Sequence, residues 1–204
     1  MFTGLIRELA EIKSFQNGIL TLKAKHRPGI GDSIAVNGAC LTVTALFSDG
    51  FSVELSHESR DLLALERYRG KVHIEPAMQM GNRIEGHIIQ GHVDCVGEVV
   101  KIDKKSSSYD FHIKAPKEQM RFMIPKGSVA IDGVSLTLND IQDDTFRLTI
   151  IPHTMEGTLL STYRKGTRVN IETDMFARYV YHLFKKEKTP GTTWDDVDKI
   201  MSLY

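Results

Sequence analysis

The chain has 204 residues, enough for one large domain or two small ones. Its 26 Lys and Arg residues equal its 26 Asp and Glu residues, whereas proteins that bind nucleic acid or anionic membranes usually carry a basic patch or tail. No apolar run approaches the roughly 20 residues that span a bilayer, and charged residues interrupt the opening MFTGLIRELAEIK too early for a signal sequence. The 2 cysteines are too few for a disulfide framework. We therefore expect a cytoplasmic globular protein with no nucleic-acid or membrane partner.

Six short strands are predicted in the first half, from alternating apolar and polar residues and from β-branched and aromatic side chains. Between them, Asn37-Gly38 predicts a tight hairpin, because both residues tolerate positive φ. Ser59 is predicted to cap a short helical turn. The predicted strands are LIRELAEIKSF at 5–15, GILTLKAK at 18–25, SIAV at 33–36, LTVTALF at 41–47, FSVELSH at 51–57 and KVHIE at 71–75.

The second half of the chain repeats the first. GDSIAVNGACLTVT at 31–44 aligns with KGSVAIDGVSLTLN at 126–139, so that Cys40 matches Ser135. The same offset pairs 51–56 with 146–151, and one gap later VHIE at 72–75 matches VNIE at 169–172. A register kept over about 45 residues indicates two homologous halves. The repeat carries the hairpin prediction to Asp132-Gly133 and the cap prediction to Thr154.

An open sheet of six short antiparallel strands would expose two long edges, so closure into a small barrel is favoured. The predicted fold is therefore all-β, with two homologous six-stranded antiparallel barrels of the Greek-key type in tandem, followed by a C-terminal helix. The predicted boundaries are 1–88 for the N-terminal barrel, 89–173 for the C-terminal barrel and 174–204 for the helical segment.

The C-terminal segment has no counterpart in the repeat. Residues 174–184 place Phe176, Val180 and Phe184 on one helical stripe, and a second short helix is predicted from Thr193. An apolar helix outside both barrels needs a surface to cover. A contact between subunits and a tail packed on its own barrel both satisfy that need, and the residues leave the two alternatives open.

The densest group of reactive side chains is GHIIQGHVDC at 86–95. His87, His92, Asp94 and Cys95 suggest a metal, but a spacing of five between the histidines suits neither one helical face nor a short ligand turn, so a metal is disfavoured. Two interpretations of His92 stay open. It either exchanges a proton with a ligand at this glycine-flanked corner, or bonds only the backbone of the turn.

Cys40 and Ser135 are small polar residues at matched positions, and each is followed two residues later by a threonine. A lone cysteine is most often a buried apolar residue, yet the matched polar positions indicate two related pockets. Asp132 occupies the turn position that Asn37 holds in the first half. Turn chemistry explains both residues, and the difference in charge suggests that the two halves differ in function.

Four motifs in this order, MFTGLI, NGACLTV, GHIIQGHVD and IDGVSLTLN, resemble the riboflavin synthase family over about residues 1–185. The resemblance implies a transferase that needs no cofactor or metal and converts two molecules of 6,7-dimethyl-8-ribityllumazine into riboflavin and 5-amino-6-(D-ribitylamino)uracil, in the last step of riboflavin biosynthesis. It also implies a homotrimer with two lumazines per active site, between barrels of neighbouring subunits, and lumazine synthase as the neighbouring enzyme of the pathway.

The resemblance further implies which residues bind and react. Ser33, Cys40, His92, Asp132 and Ser135 match positions that the family associates with activity. We expect His92, Asp132 and Ser135 to position and polarise one lumazine, and Ser33, Cys40 and Thr42 to serve the other. The family's first pocket would comprise Gly4, Leu5, Ile6, Cys40, Leu41, Thr42, Glu54, Leu55, Ser56, His57, Glu58 and Ser59. Its second pocket would comprise Gly91, His92, Val93, Lys126, Ser135, Leu136, Thr137, Ile151, Pro152, His153, Thr154, Met155 and Glu156.

Two other functions are weighed against this enzyme. A non-catalytic lumazine- or flavin-binding antenna protein would share the fold but keep one competent site, and a metalloprotein would use His87, His92 and Asp94. Polar residues in both halves favour the enzyme. Cys95 stands where the family often has glycine, and 188–204 extends past the family's usual end.

Overall fold

Within residues 1–186, which the computed structural model describes, the chain forms two closed barrels and a C-terminal helix. Both barrels have the same cyclic strand order, β1-β2-β5-β4-β3-β6 and β7-β8-β11-β10-β9-β12. The predicted all-β fold with two tandem six-stranded barrels is therefore confirmed. The strands are β1 (Glu8–Gln16), β2 (Ile19–Lys23), β3 (Ser33–Val36), β4 (Ala39–Phe47), β5 (Gly50–Glu54), β6 (Lys71–Pro76), β7 (Cys95–Lys104), β8 (Tyr109–Lys114), β9 (Ser128–Ile131), β10 (Val134–Gln142), β11 (Thr145–Ile150) and β12 (Arg168–Thr173).

Within residues 1–186 the chain also forms four α-helices, α1 (His57–Leu62), α2 (Lys117–Met120), α3 (Pro152–Gly157) and α4 (Met175–Lys186), and two 3-10 helices at Leu65–Arg67 and Leu159–Thr162. The cap prediction at Ser59 is wrong, because Ser56 caps α1 and its hydroxyl accepts the Ser59 amide at 3.1 Å. The prediction at Thr154 is also wrong, since α3 starts behind Ile151 with a proline in its first turn. The helix predicted from Thr193 lies outside the described residues. No helix within 1–186 is both long enough and apolar enough to cross a membrane.

Each barrel has its own apolar interior. Leu20, Phe51 and Val53 fill the first, and Phe111 and Phe146 belong to the corresponding interior of the second. The strands bend at matched places, because β1, β4, β7 and β10 each carry a break in register of the kind that a β-bulge produces. The repeat in the sequence is therefore a repeat of closed, separately filled barrels.

The two barrels meet at their predicted hairpins. Asn37 and Gly38 have φ values of 45° and 83°, and Asp132 and Gly133 have 45° and 82°, as a two-residue hairpin turn requires. A Cβ atom on Gly38 would lie 2.7 Å from the backbone nitrogen of Gly133. Glycine is required here both for its left-handed backbone and for the space that a side chain would occupy.

Buried hydrogen bonds around this contact occur in matched pairs. Asn37 Oδ1 accepts the His73 amide at 2.9 Å, and Asp132 Oδ1 accepts the Asn170 amide at 2.7 Å. Across the interface, His73 Nδ1 lies 2.9 Å from the Asp132 carbonyl, and Asn170 Nδ2 donates to the Asn37 carbonyl at 2.8 Å. The two barrels are thus joined by buried polar groups whose bonds across the interface form only when both halves are in place.

These bonds fix the protonation state of His73. Its Nδ1 faces a carbonyl and must donate, while its Nε2 accepts the Leu159 amide at 2.7 Å. Asn170 makes the corresponding pair of bonds, because its Oδ1 accepts the Ala64 amide at 2.9 Å. Burial lowers the pKa of His73 to about 4, so the ring is neutral at neutral pH.

We predict that Gly38→Ala lowers the free energy of unfolding by about 1–3 kcal/mol more than Gly31→Ala. Both glycines have positive φ, at 83° and 89°, so both substitutions strain the backbone. Only Gly38 faces the other barrel, since a Cβ on Gly31 would meet nothing within 4 Å. Urea denaturation measures both variants, and equal losses would contradict a close contact between the hairpins.

We also predict that acidification destabilises the protein through His73. In the unfolded chain this histidine gains a proton near pH 6.5, whereas the folded pKa is about 4, so its stabilising contribution is full above 6.5 and is lost as pH falls toward 4. From pH 7 to pH 5 the loss is on the order of 1–2 kcal/mol.

The matched variant is His73→Asn, which copies Asn170 and cannot titrate. Burial raises the pKa of Asp132 to about 6, so the contribution of Asp132 to stability changes in the opposite direction and is lost as pH rises through 6. This contribution is common to the wild type and to His73→Asn. The difference in unfolding free energy between wild type and variant should therefore shrink from pH 7 to pH 5. A constant difference would show that His73 is not held neutral.

Candidate active sites

The segments that precede the barrels, 1–7 and 88–94, are here called the leading segments, and they pair with each other between the barrels. The Phe2 amide donates to the Ile89 carbonyl at 2.7 Å, and the Ile89 amide donates back at 3.0 Å. Both side chains are buried, together with Ala35 and Ala130, in a small apolar cluster at the junction. Each leading segment is thereby brought to the barrel of the other half.

Two glycines show this exchange directly. The Gly4 carbonyl accepts the Ser135 amide at 2.9 Å, and the Gly91 carbonyl accepts the Cys40 amide at 2.8 Å. A Cβ on Gly4 would lie 2.5 Å from the Cβ of Ser135, and one on Gly91 would lie 2.6 Å from the Cβ of Cys40. The prediction that placed Gly4 with Cys40, and Gly91 with Ser135, is therefore wrong, because each leading segment crosses to the opposite barrel.

A buried glutamate holds each leading segment. At the end of β6, the Glu75 carboxylate accepts the amide and hydroxyl of Thr3, both at 2.8 Å, and the Gly4 amide at 3.0 Å. Sequence analysis missed this residue, although it recurs in the repeated VHIE and VNIE motifs. In the second motif, Glu172 accepts the amides of Gln90 at 2.7 Å and Gly91 at 2.8 Å.

A cavity of about 430 Å³, here called the Cys40 pocket, lies beside the Gly91 segment. Its volume falls in the range of roughly 300–1,000 Å³ that is typical of small-molecule sites. His92 belongs to this pocket with Cys40, not to the Ser135 side where it was predicted. The lining residues are Ala39, Cys40, Glu58, Ser59, Leu62, Leu63, Gly91, His92 and Val93.

The polar residues of the hairpin strands face outward from the first barrel. Leu41 is buried in the barrel interior, so its neighbours Cys40 and Thr42 point to the outer face. Ser33 pairs with Thr42 in the β3–β4 register and lies on that same face. The structure thus brings Ser33, Cys40 and Thr42 together on the outside of the barrel, with Leu41 behind them.

At the matched position of the second barrel, Ser135 contacts His87, which was considered from the sequence only as a metal ligand. His87 Nδ1 lies 2.7 Å from Ser135 Oγ, and burial lowers the pKa of His87, an effect that the Asp174 carboxylate opposes. His87 Nε2 is buried and has no hydrogen-bond partner among the described residues. This nitrogen remains available for a ligand, and the pattern GHIIQGH was the signal that could have identified it.

Asp132 lies apart from the Cys40 pocket. It is fully buried, with Oδ1 bonded to the Asn170 amide and Oδ2 accepting the hydroxyl of Tyr163. Burial raises its pKa to about 6, and the bonds to Tyr163 and Asn170 oppose that rise. Its side chain is therefore bonded within the second barrel, and its backbone carbonyl makes the bond to His73 of the first barrel.

The remaining predicted residues lie around the two hairpin strands. Lys126 is exposed in a left-handed turn with a φ of 68°, and Thr137 is exposed beside half-buried Leu136. Leu55 and Met155 are buried in the two interiors. Leu5, Ile6 and Thr154 are half-buried, and the exposed members are Glu54, Ser56, His57, Ile151, Pro152, His153 and Glu156.

The residues considered for a metal bond other partners. His87 contacts Ser135, whereas Asp94 Oδ2 accepts the amide and hydroxyl of Thr173, both at 2.7 Å. Within residues 1–186, no cluster of three or more His, Cys, Asp or Glu side chains is arranged to hold a metal ion. Burial raises the pKa of Cys95 to about 12, so this thiol is protonated at neutral pH.

Comparison with known proteins agrees with the repeat. The lumazine binding domain matches residues 3–77 and again residues 90–174. The chain is 38% identical to riboflavin synthase of Actinobacillus pleuropneumoniae, over 92% of this chain and 91% of that protein. The corresponding enzyme of Photobacterium phosphoreum is 41% identical, over 92% and 91%.

Among solved structures, LumP complexed with riboflavin superposes with a TM-score of 0.75 at 23% identity, covering 85% of this chain and 99% of LumP. This likeness supports the two-barrel fold. The identity to riboflavin synthases extends over more than nine-tenths of the chain. With two lumazine binding domains and this degree of identity, the chain belongs to the riboflavin synthase family.

Proposed function

We propose that the chain converts two molecules of 6,7-dimethyl-8-ribityllumazine into riboflavin and 5-amino-6-(D-ribitylamino)uracil. The observation that supports this proposal is the pair of matched positions Cys40 and Ser135, each of which donates its amide to a glycine carbonyl of the opposite leading segment and lies beside a histidine. A reaction between two copies of one substrate needs two such sites. Holding both molecules in contact removes much of the entropic part of the barrier.

The reaction moves a four-carbon unit from a donor lumazine to an acceptor lumazine. The two products together contain all atoms of the two substrates, so the conversion needs no external oxidant or reductant. The donor loses a proton from its C7 methyl group, which is acidic because it is conjugated with the ring. The protein must therefore bind, orient and accept a proton, and side chains alone can perform these tasks.

Because the leading segments are exchanged, the residues proposed for each lumazine differ from those predicted from the sequence. Ser33, Cys40 and Thr42 share an outer face of the first barrel and are proposed to serve one lumazine, together with His92, which lines the Cys40 pocket. Ser135 is proposed to serve the other, with neutral His87 as its hydrogen-bond partner and proton acceptor. Asp132 is proposed to contribute structurally, because both of its carboxylate oxygens are bonded within the second barrel and its carbonyl meets His73 of the first barrel.

We further propose that the reacting lumazines are bound by neighbouring chains of a homotrimer, and that α4 forms the contact. The apolar face of α4 is largely exposed, with exposed fractions of 58% for Phe176, 63% for Leu183 and 67% for Phe184. A cavity of about 490 Å³ lies between this helix and residues 121–128, where Ile124 is 61% exposed. An apolar surface of this kind is typical of a subunit contact.

An antenna protein of the LumP kind is the second candidate, because LumP has the same fold. An antenna requires one competent ligand site, whereas this chain keeps polar residues on the outer faces of both barrels. Titration with the lumazine separates the two functions. Two bound molecules per chain support the enzyme, and one tightly bound molecule without turnover supports the antenna.

We predict that the purified protein forms riboflavin from the lumazine, as measured by the absorbance of the yellow product. Cys40→Ser and Ser135→Ala should each lower turnover by about 10–100-fold, because each disturbs one ligand site. Cys95→Ala is the matched control, since this cysteine is buried in the second barrel and lines neither site. Absence of product with the wild type would refute the function, and full activity of both site variants would refute the site assignment.

We predict that Leu183→Glu converts the trimer to monomers and removes activity, because a charge on the apolar face of α4 opposes its burial. Leu46→Glu is the control, since Leu46 is an apolar residue of β4 that is 47% exposed, and this substitution should leave assembly unchanged. Light scattering coupled to size-exclusion chromatography gives the mass of each protein. A trimeric Leu183→Glu variant would contradict the proposed role of α4.

A further inference from the structure

The two leading segments are held by similar carboxylates but not by the same set of groups. Glu75 bonds Thr3 and Gly4, and no ion pair joins Glu75 within residues 1–186. In the second half, α4 adds a guanidinium to the corresponding carboxylate. The Arg178 Nη2 atom lies 3.9 Å from Glu172 Oε1, so only the segment beside the Cys40 pocket is tied to the C-terminal helix.

Arg178 contacts both flanks of the three residues that line the pocket, Gly91, His92 and Val93. On one flank its Nη2 donates to Gln90 Oε1 at 2.8 Å. On the other flank its Nη1 forms an ion pair with Asp94 Oδ1. A single planar side chain thus fixes the two ends of a short loop, and the guanidinium group suits such a two-point contact better than a lysine would.

We propose that Arg178 is a positioning residue, which holds the Gly91–Val93 wall of the Cys40 pocket against β4 and so sets the geometry of the ligand site there. The inference rests on the proposed function for its kinetic consequence. Arg178 itself does not line the Cys40 pocket and acts through the backbone of the leading segment.

The connection from Arg178 to Cys40 consists of contacts already described. Arg178 bonds the Gln90 side chain, Glu172 accepts the amides of Gln90 and Gly91, and the Gly91 carbonyl accepts the Cys40 amide at 2.8 Å. No step in this series is longer than one hydrogen bond. Displacement at Gln90 is therefore transmitted to the place where Gly91 meets Cys40.

The environment makes these bonds strong. The side chain of Arg178 is 22% exposed, that of Asp94 is 15% exposed and that of Glu172 is 3% exposed. Burial raises the pKa of Glu172 to about 7, and the charge of Arg178 opposes this rise. Without the guanidinium the pKa of Glu172 would rise further, since the Asp94 carboxylate also raises it, and the loop would lose the cation that compensates both acidic groups.

The test uses Arg178→Gln, with Arg178→Lys as the conservative variant and Lys185→Gln as the control. Lys185 is an exposed cation of the same helix, and its removal also lowers the charge by one. Amide hydrogen exchange over residues 88–95 should become about tenfold faster in Arg178→Gln, since charged hydrogen bonds are lost. Exchange at residues 2–6 should stay unchanged, because Glu75 holds that segment without Arg178.

The second measurement is the KM for the lumazine and the kcat of the same proteins. We expect Arg178→Gln to raise KM by about tenfold with a smaller change in kcat, because the residue shapes a binding site. We expect Arg178→Lys to recover part of the loss and Lys185→Gln to behave as wild type. Partial rescue distinguishes positioning by a cation from simple loss of helix packing.

Two results would overturn the inference. One is wild-type exchange over residues 88–95 with an unchanged KM in Arg178→Gln. The other is an equal rise in exchange throughout both barrels, which would indicate general destabilisation. If the wild type itself forms no riboflavin, the proposed function fails, and the exchange measurement still decides whether Arg178 holds the segment.

Discussion

The contact between the two hairpins determines how everything else in the molecule is placed. Gly38 and Gly133 approach so closely that neither can carry a side chain, and the buried bonds of Asn37, His73, Asp132 and Asn170 surround them. Buried polar groups of this kind stabilise one arrangement only, because any displacement leaves several of them without partners. The barrels are consequently held in a single relative orientation, with their hairpin strands on either side of the junction.

This orientation explains why the sites lie on the outer faces of the barrels and not inside them. The interiors are filled by apolar side chains, among them Phe51, Phe111 and Phe146. Small polar residues on β4 and β10 instead face outward next to the junction, where the opposite leading segment supplies a glycine and then a larger residue. The fold thus forms two similar candidate sites from elements that the barrel contact already fixes.

Much of the fold could be predicted from the sequence. The strand pattern, the repeat and the turns at Asn37-Gly38 and Asp132-Gly133 depend on local properties, namely alternation and tolerance of positive φ. The helix caps were wrong because Ser56 precedes Ser59 with an equally suitable hydroxyl, and because Pro152 starts α3 without a side-chain cap. Local preferences alone do not choose between such neighbours.

The candidate sites were predicted less completely, because their composition depends on where distant segments cross. Cys40 and Ser135 were found through the repeat, but nothing local shows that Gly4 meets Ser135 and that Gly91 meets Cys40. The same limitation applies to Asp132, whose turn position is evident but whose burial depends on the second barrel. His87 was visible only as one member of a histidine pair until the path of the linker placed it beside Ser135.

The exchange of leading segments also bears on how such a chain could have arisen and how it could be divided. A single barrel with its own leading segment would have an incomplete site. Two copies related by a twofold axis would complete each other's sites by exchanging their leading segments. Joining the two copies into one polypeptide lets each site change independently, as the different partners His92 and His87 illustrate. It follows that cleavage between residues 77 and 88 would leave every strand intact, and the hairpin contact together with the exchanged leading segments would then hold the two halves together.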